Sequence, residues 1–450
     1  VDVGPGDEVY AGSLAVAGSL TIAASRPASE STLSRIAALV EDAQSSRAPA
    51  ERFIDRFAAV YTPLVFAAAL ALAALPPLAF GGDPDTWAYR ALALLIVACP
   101  CSLVISVPVA VVSAIGGAAR EGVLIASGQA LEDLGRVDVV ALDKTGTLTF
   151  GSPELERVVP LDPGLSETEA LALAAAVERR SEHPLAAAVV RAAREREVAV
   201  PEARGFGALP GRGAEAEVGG RELWMGGPRL AAERLGALPD EIGRMHAAGQ
   251  TALLLGAGDR PLAAFGVADQ LRPEASAATA GLRAAGVERT VMLTGDSGPI
   301  ARSVAAGAGV DEWRAELLPA EKLRAVEGLA GDGATVAMVG DGINDAPALA
   351  AAPVGVAMGA AGSDVALSAA DVALMSDRLD RLPGAIARAR RALGVMRVNV
   401  VASLAVKGVL VLLAPFGLVT LVVAVAADMG MSLAVTLNAL RLLRRGRGGG

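Results

Sequence analysis

The sequence has few cysteines and no excess of positive charge. Two cysteines, Cys99 and Cys101, stand in a chain of 450 residues. They are too close together to form a disulfide framework, so reducing surroundings or metal ligation are favoured. The formal net charge of −9 argues against a nucleic-acid partner. The chain starts at Val1 without a signal-peptide pattern, and we expect further sequence upstream of it.

Apolar residues, in contrast, are plentiful. They make up 53% of the chain, which is high for a soluble protein, while a charged fraction of 20% is too high for a purely membrane one. A protein that is part membrane and part cytosolic fits both values. Its length allows about two to four domains.

Four apolar stretches are long enough to cross a bilayer. Basic residues flank the outer ends of each pair of stretches, so both termini and the long middle of the chain are predicted to be cytosolic. Between the first two spans we expect a polar loop at 81–90, and Pro63, Pro76 and Pro77 are expected to kink or end the first span. The predicted spans are 57–80, 91–115, 398–413 and 417–440.

Three predicted strands each end in acidic or hydroxyl residues. Short Val-rich runs closed by such residues are typical of buried strands in a parallel sheet, and open α/β sheets bind ligands beyond the carboxyl ends of their strands. These stretches therefore predict a site for phosphate and a divalent metal. The strands with their motifs are 137–142 followed by Asp143-Lys144-Thr145-Gly146-Thr147-Leu148-Thr149, 290–293 followed by Thr294-Gly295-Asp296, and 335–339 followed by Gly340-Asp341-Gly342-Ile343-Asn344-Asp345.

The residue types in these motifs fit phosphoryl transfer. The carboxylate of Asp143 can attack a phosphoryl group and form an acyl phosphate. The charge on the transferred group calls for cations, which Lys144 and Lys322 can supply, and the hydroxyls of Thr145 and Thr294 can donate hydrogen bonds.

Two further acids suit a metal, and one acid is missing. Asp341 and Asp345 add oxygen ligands for Mg²⁺, which usually binds through one or two carboxylates plus substrate phosphate. Soluble phosphatases of this design carry an acid/base Asp two residues after the nucleophile, where this chain has Thr145. An aspartyl phosphate should therefore persist until another domain brings in a water, which suits a pump that must hold an intermediate.

The three motifs resemble the phosphorylation and hinge motifs of the P-type ATPases. The resemblance implies an HAD-like, Rossmann-type phosphorylation domain that uses ATP and Mg²⁺ and is phosphorylated on Asp143. It implies the catalytic residues Asp143, Lys144, Thr145, Thr294, Gly295, Asp296, Lys322 and Asn344, and the Mg²⁺ ligands Asp143, Thr145, Asp341 and Asp345.

An inserted α+β domain is expected over 151–265, where Ala/Glu/Arg-rich helices precede Gly-rich strands. Glu182 and His183 lie in a Ser-Glu-His-Pro motif that resembles the nucleotide-domain signature of the heavy-metal family, which implies that they contact the adenine end of ATP. Gly211 and Gly213 would be close-approach glycines of the same pocket. Taken alone, the Glu-His pair indicates a helix start and the glycines a hairpin turn.

The second span contains Cys99-Pro100-Cys101. A proline unwinds a helix locally because it removes a backbone hydrogen bond, and two thiolates there are soft ligands for Zn²⁺, Cd²⁺, Pb²⁺ or Cu⁺. The alternative is a pair of core cysteines packed as small apolar residues. The motif resembles the signature of the heavy-metal branch of the P-type ATPases.

The last two spans each carry a charge, Lys407 and Asp428. Isolated charges in hydrocarbon are costly, so we expect the two to pair with each other or with bound metal. Alternatively, Lys407 snorkels to the membrane surface. A carboxylate beside two thiolates suits a divalent ion, whereas Cu⁺ prefers thiolate and thioether. Lys407 and Asp428-Met429-Gly430 resemble the zinc/cadmium/lead-exporting subgroup, in which the acid completes the metal site and the lysine is a built-in counter-charge.

The resemblance covers essentially the whole chain and implies its division into domains. The family's Thr-Gly-Glu loop, earlier transmembrane helices and any N-terminal metal-binding module are expected upstream. Ile125-Ala126-Ser127 lacks a lysine that is common in the family. We expect the C-terminal part of a β-rich actuator domain at 1–45, a transmembrane pair at 46–117, the phosphorylation domain at 118–150 and 266–392, the nucleotide-binding domain at 151–265, and a second transmembrane pair with a basic tail at 393–450.

The sequence is thus interpreted as the C-terminal two-thirds or so of an ATP-driven exporter of Zn²⁺, Cd²⁺ or Pb²⁺. We expect a monomer in a bacterial plasma membrane, with cytosolic catalytic domains and with lipid, ATP and heavy-metal ions as partners. One alternative is a Cu⁺ exporter, and another is a nucleotide- and metal-binding fragment that does not turn over. A soluble phosphatase-like enzyme is disfavoured by Thr145 and by the four spans.

Overall fold

The computed structural model describes residues 22–23, 48–181, 183–209, 211–331, 333–341, 345–359 and 370–443. The expected actuator segment 1–45 lies outside these residues except for 22–23. The chain divides into two compact units. The first unit comprises Val1–Asp138, Ala284–Gly286 and Pro353–Gly450, and the second unit comprises Val139–Arg283 and Val287–Ala352.

The described chain contains both helices and strands, and the two alternate from β8 to β12. In chain order they are α1 (Pro49–Phe80), α2 (Pro84–Ala98), α3 (Cys101–Ala119), β1 (Val123–Ile125), α4 (Gly128–Leu134), β2 (Val139–Asp143), β3 (Thr149–Pro160), α5 (Glu167–Glu178), α6 (Pro184–Glu195), β4 (Ala203–Leu209), β5 (Gly213–Val218), β6 (Arg221–Gly226), α7 (Pro228–Leu235), α8 (Asp240–Ala247), β7 (Thr251–Ala257), β8 (Arg260–Leu271), α9 (Ala275–Ala284), β9 (Arg289–Leu293), α10 (Gly298–Ala308), β10 (Glu312–Arg314), α11 (Pro319–Gly331), β11 (Val336–Gly340), α12 (Ala346–Ala351), β12 (Val354–Ala357), β13 (Val372–Leu374), α13 (Arg381–Leu413) and α14 (Leu421–Leu440).

Among the described residues of the first unit, four helical stretches are long and apolar enough to cross a membrane. Large apolar side chains on them are exposed, for example Leu78 at 84% and Val422 at 77%, which is typical of surfaces that contact a membrane. The predicted four spans are thereby confirmed. The stretches are Pro49–Phe80, Pro84–Ala119, Arg381–Phe416 and Leu421–Leu443.

The link between the first two spans is shorter than the predicted loop 81–90. α1 continues through its three prolines and ends at Gly81, whose left-handed φ of +66° caps the helix. α2 begins at Pro84, because the side chain of Asp83 accepts a hydrogen bond from the N–H of Thr86 at 3.0 Å and a proline fits the first helical position. The predicted loop is therefore wrong beyond Asp83, since Asp83 and Pro84 form a helix start.

Polar side chains fix α13 at two levels. Asn399 donates a hydrogen bond to the carbonyl of Val435 on α14 at 3.1 Å and accepts one from Asn438 at 2.8 Å. Nearer the start of α13, Arg390 donates to the backbone carbonyls of Val137 at 2.6 Å and of Ala285 at 2.7 Å. These two carbonyls belong to the segments that precede β2 and β9 in the chain.

Four parallel strands of the second unit lie side by side in the order β11-β2-β9-β10. β11, β2 and β9 are largely apolar and buried, as parallel strands covered on both faces are, whereas the edge strand β10 is more exposed. α11 and α12 cover one face, where Val326 and Leu349 pack with Met338. β2 ends at Asp143, which is in register with Leu293 of β9. The residues that follow these strands therefore meet at one edge of the sheet.

The second unit also contains an antiparallel sheet in the order β3-β8-β7-β6-β5-β4. Its side chains alternate between two pairs of helices, as the pleat of a strand requires. Leu255 of β7 packs in the cluster with α5 and α6, whereas Leu254 packs with α7 and α8. The sheet extends from Thr149 to Leu271, slightly beyond the predicted range 151–265, because β3 and β8 pair over nearly their whole length.

Candidate functional site

Asp143, the predicted nucleophile, is the last residue of β2 and has 4% of its surface exposed. Nζ of Lys322, on α11, lies 2.5 Å from Oδ1 of Asp143. The same Nζ lies 2.8 Å from Oδ1 of Asp345, the residue before α12. One ammonium group therefore bridges two buried carboxylates that are distant in the sequence.

This cluster has one negative charge in excess when both carboxylates are ionised. Burial, and next the charge of Asp345, raise the pKa of Asp143 to about 7, and Lys322 offsets only part of that rise. Burial by itself would lower the pKa of Lys322, but the two carboxylates raise it above its usual value. The ammonium stays charged, and a further cation would stabilise the ionised form of Asp143.

A second lysine, Lys144, follows Asp143 directly and contacts another acid. Its Nζ lies 2.6 Å from Oδ2 of Asp296 and 4.0 Å from Oδ2 of Asp269. The hydroxyl of Thr294, the first residue after β9, accepts a hydrogen bond from the N–H of Asp296 at 3.1 Å. The predicted Thr-Gly-Asp motif is thus a short turn that presents Asp296 to Lys144.

The chain after Lys144 turns at Gly146. The φ of Gly146 is +75°, in the left-handed region, and an added Cβ would lie 3.3 Å from the carboxylate of Asp341. Asp341 therefore lies beside the phosphorylation motif. Thr145 is exposed in this turn. Gly295 lies close to the backbone of Leu317, because an added Cβ on Gly295 would lie 3.3 Å from the carbonyl oxygen of Leu317.

The acids at this edge of the sheet suit Mg²⁺. Asp143, Asp341 and Asp345 offer hard carboxylate oxygens, and Lys322 leaves part of their charge unbalanced. Within the residues that the structure describes, no group of three or more His, Cys, Asp or Glu could hold a metal by itself. Mg²⁺ usually takes one or two carboxylates and completes its shell with phosphate and water. Asn344, the remaining predicted catalytic residue, lies outside the described residues.

The first unit contains the predicted break at Cys99-Pro100-Cys101. α2 ends at Ala98 and α3 begins at Cys101, because Pro100 has no N–H to continue the helix. The structure joins the two Sγ atoms in a disulfide, and metal ligation by the reduced thiols stays a prediction. The turn at Pro100 brings the two Cα atoms within 5.5 Å, a separation that a disulfide spans. When reduced, two sulfurs this close could bind one ion.

Lys407 is 7% exposed and does not snorkel. Its Nζ lies 2.6 Å from Oδ1 of Asp428 and 3.4 Å from the carbonyl oxygen of Val97, and it also donates to the carbonyl of Cys99. A small cavity beside the pair is lined by both charged side chains and by Met431. The ammonium group of Lys407 thus joins the backbone at the helix break to the carboxylate of Asp428.

Comparison with known proteins agrees with this geometry. Residues 137–353 match the family model of the haloacid dehalogenase-like hydrolases. The chain is 45% identical over 446 residues to the zinc/cadmium/lead-transporting P-type ATPase of Escherichia coli (strain K12). This match covers 99% of this chain and 60% of that protein. It is 40% identical over 445 residues to a probable cadmium-transporting ATPase of Staphylococcus aureus (strain MRSA252), and this match covers 97% of this chain and 61% of that protein.

A solved structure decides the family. The crystal structure of a zinc-transporting PIB-type ATPase in the E2·Pi state matches with a TM-score of 0.77 and 44% identity, over 93% of this chain and 68% of that one. The chain belongs to the PIB-type ATPases. It spans about 60% of the length of the curated relatives named above. The predicted family and the HAD-like α/β fold with membrane helices are confirmed.

The expected nucleotide residues of this PIB-type ATPase lie in the region of the six-stranded sheet. His183 is the N-cap of α6, where its exposed side chain accepts a hydrogen bond from the helix backbone through Nδ1 at 3.2 Å. Gly211 has a φ of +69°, and an added Cβ on Gly213 would lie 2.0 Å from the carbonyl oxygen of Met225. Gly213 thus permits a close approach of strands. Glu182 lies outside the described residues, and a role for this group in ATP binding stays a prediction.

Two residues of the PIB-type ATPase site were not anticipated, Asp269 and Arg272 at the end of β8. Arg272 is 2% exposed and donates to the carbonyls of Gly146 and Thr149, both at 3.1 Å. Asp269 accepts a hydrogen bond from the hydroxyl of Thr149 at 2.5 Å. Both residues fix the loop that carries Lys144. A signal was present, because charged residues close an apolar strand here as they do in the three predicted motifs.

Proposed function

We propose that the protein exports Zn²⁺, Cd²⁺ or Pb²⁺ across a membrane, driven by ATP hydrolysis. The observation that carries this proposal is the position of the Lys407 ammonium, which contacts both the carbonyl of Cys99 and the carboxylate of Asp428. It links the backbone of one predicted metal ligand, Cys99, to the carboxylate of another, Asp428. The transport of these metals by the named relatives supports the same function.

Asp143 is the group that accepts the phosphate. One of its carboxylate oxygens attacks the γ-phosphorus of ATP, the bond from that phosphorus to the β,γ-bridging oxygen breaks, and ADP leaves. Lys322, bonded to Asp143 at 2.5 Å, favours the ionised nucleophile, and Lys144 adds positive charge beside it. Bound Mg²⁺ would neutralise charge on the phosphate oxygens. Asp341 and Asp345 would hold it, together with Asp143 and the loop at residue 145.

The absence of an acid at Thr145 sets the lifetime of the intermediate. A soluble phosphatase of this design has a carboxylate at that position, which activates the water for hydrolysis. Here the hydroxyl of Thr145 cannot serve as such a base near neutral pH. The aspartyl phosphate therefore survives until water is activated elsewhere in the protein, and this interval allows the membrane helices to change their arrangement.

Charge balance favours a divalent ion at the membrane site. Lys407 and Asp428 cancel each other's charge, and the reduced thiolates of Cys99 and Cys101 bring two negative charges. A divalent ion makes the group neutral, whereas Cu⁺ leaves one uncompensated negative charge in hydrocarbon, which is costly. A carboxylate ligand also suits a divalent borderline ion better than Cu⁺.

We further propose that ATP binds to the inserted domain at Glu182, His183, Gly211 and Gly213. The catalytic domains lie in the cytosol, as the basic flanks of the spans indicate, and the bacterial source of the named relatives supports a bacterial plasma membrane. We also propose that the pump is a monomer.

The test is acid-stable phosphoenzyme formation from labelled ATP by the full-length protein under reducing conditions. With Mg²⁺ present, Zn²⁺, Cd²⁺, Pb²⁺ and Cu⁺ are added in turn. We expect the divalent ions to stimulate labelling, Asp143→Asn to abolish it, and a Cys99→Ser/Cys101→Ser variant to lose the response to metal. Stimulation by Cu⁺ alone would overturn the divalent assignment, and labelling that persists in Asp143→Asn would overturn the assignment of the nucleophile.

A further inference from the structure

The break between α2 and α3 removes two backbone carbonyls from ordinary helical pairing. In a continuous helix the carbonyl of Cys99 would accept a hydrogen bond from the N–H of Leu103, but that N–H bonds to the carbonyl of Pro100 at 3.0 Å. The carbonyl of Val97 lies in the last turn of α2, where helical carbonyls lose their partners. Such carbonyls attract cations, because they carry the negative end of the helix dipole.

Lys407 satisfies both carbonyls and the nearby acid at once. An ammonium group has three N–H donors. The three partners of Nζ are the carbonyl of Val97, the carbonyl of Cys99 and Oδ1 of Asp428. The side chain is buried, so these contacts replace the water that would otherwise hold the charge. Lys407 is therefore bound to the backbone of the break as well as to its counter-charge.

The partners of Lys407 are also the partners of a hard cation. Discontinuous membrane helices hold Na⁺ through unwound carbonyls and through the C-terminal ends of half-helices, and a carboxylate adds the oxygen ligand that Ca²⁺ prefers. We propose that the Lys407 ammonium occupies a hard-cation position at the break and so excludes hard cations such as Na⁺ and Ca²⁺ from the transport site. Lys407 is then a specificity-determining residue. This inference rests on the proposed metal export and extends it.

A heavy-metal ion can bind without displacing the lysine. Its strongest ligands are the thiolates of Cys99 and Cys101, whereas Lys407 holds the carbonyl of Cys99 and leaves both side chains to the ion. A carboxylate has two oxygens, so Asp428 can keep Oδ1 on Lys407 and offer Oδ2 to the ion. A hard cation gains little from thiolates, and it would have to replace the ammonium itself.

The experiment measures acid-stable labelling from ATP in the full-length protein, at fixed Mg²⁺, with Zn²⁺, Ca²⁺ or Na⁺ added. Wild type is compared with Lys407→Met, Lys407→Arg and the double variant Lys407→Met/Asp428→Asn. Labelling of Lys407→Met with Ca²⁺ or Na⁺ should rise at least about tenfold over wild type, because a unit positive charge a few ångströms from an incoming cation repels it by more than that factor. Lys407→Arg keeps the charge and should still refuse both ions. The double variant loses the carboxylate and should lose the new response.

The outcomes separate this inference from the proposed function. If wild type gives no labelling with Zn²⁺, the proposed function fails, whatever the variants do. If wild type labels with Zn²⁺ and Lys407→Met retains that response without gaining one to Ca²⁺ or Na⁺, the exclusion role is overturned. Should Lys407→Met not fold, Lys407→Gln replaces it. The glutamine amide still donates to the carbonyls but carries no charge, so labelling of Lys407→Gln with Ca²⁺ or Na⁺ should rise over wild type in the same way.

Discussion

The two units each contain a buried lysine bound to aspartate, and the two lysines differ in what else they hold. Lys322 bridges two carboxylates, Asp143 and Asp345, whereas Lys407 divides its donors between one carboxylate, Asp428, and two carbonyls. The catalytic cluster keeps an excess of negative charge and therefore calls for a further cation. The membrane cluster is neutral, as hydrocarbon requires. The catalytic lysine thus helps to recruit a cation, and the membrane lysine takes the place of one.

The largest effect is expected from breaking the neutral pair. Asp428→Asn leaves the Lys407 ammonium buried with carbonyls but without a negative charge, and removal of one partner of a buried ion pair costs about 3–5 kcal/mol. The free energy of unfolding in detergent should fall accordingly, and labelling with Zn²⁺ should be lost. Asp428→Asn/Lys407→Met removes both charges and should recover much of the lost stability.

Asp83→Asn is the matched control for that change. The carboxylate of Asp83 is an exposed N-cap of α2, and Asn caps a helix as well as Asp does. The melting temperature of Asp83→Asn should equal that of wild type. If the double variant were no more stable than Asp428→Asn alone, the charge of Lys407 would not be the source of the loss.

A change in the catalytic cluster should lower the rate at which Asp143 is labelled from ATP. Lys322→Met leaves Asp143 and Asp345 facing each other without a cation, so Asp143 becomes harder to ionise. Loss of one preorganised charge contact in a phosphorylation site should reduce the labelling rate by about 10²–10³-fold. Lys322→Arg keeps the charge and should lose less. A rate within a few-fold of wild type for Lys322→Met would show that Lys144 alone supplies the needed charge.

A third change converts the catalytic cluster to the charge balance of the membrane cluster. Asp143→Asn leaves Lys322 paired with Asp345 alone. In wild type, burial and Asp345 raise the pKa of Asp143 to about 7. A carboxyl group whose pKa is raised by folding stabilises the fold fully when the pH is below its unfolded pKa, about 4, and that contribution is lost as the pH rises through about 7. Without Mg²⁺, Asp143→Asn should therefore be more stable than wild type at pH 8, with a smaller difference at pH 5.

The melting temperature across this pH range is the measurement. Added Mg²⁺ should reduce the difference in melting temperature between Asp143→Asn and wild type at pH 8, because a metal ion balances the charge of Asp143 in wild type. An equal effect of the substitution at pH 5 and pH 8 would contradict the raised pKa and, with it, the excess of negative charge.

The sequence predicted the catalytic site better than its surroundings, for physical reasons. Parallel strands place their carboxyl ends at one edge, so the residues after β2, β9 and β11 could be grouped from their order alone. Lys322 contacts Asp143 across 179 residues of chain, and its role came from the family resemblance rather than from a local pattern. Asp269 and Arg272 were missed although they close a strand in the same manner.

Contacts that depend on backbone geometry could not be predicted. That Lys407 binds the carbonyls of Val97 and Cys99 follows from how the helix breaks, which side-chain patterns do not record. A compositional signal was available, however. Three of the 40 Lys and Arg residues are lysines, and all three lie in ion pairs with aspartates. A lysine ends in a compact point charge that suits such positions, whereas arginine presents a broad fork.

The smallest effect is expected where the membrane helices are joined by polar groups without charge. Asn399→Leu removes hydrogen bonds to the carbonyl of Val435 and to Asn438, and hydrogen bonds between membrane helices contribute about 0.6 kcal/mol on average. The loss in free energy of unfolding should therefore be several times smaller than that of Asp428→Asn, and labelling with Zn²⁺ should persist. Asn438→Leu should cost a similar amount, with little added in the double variant, because the two side chains share one contact. A loss as large as that of Asp428→Asn would mean that polarity, and not the balance of charge, is what the membrane helices cannot do without.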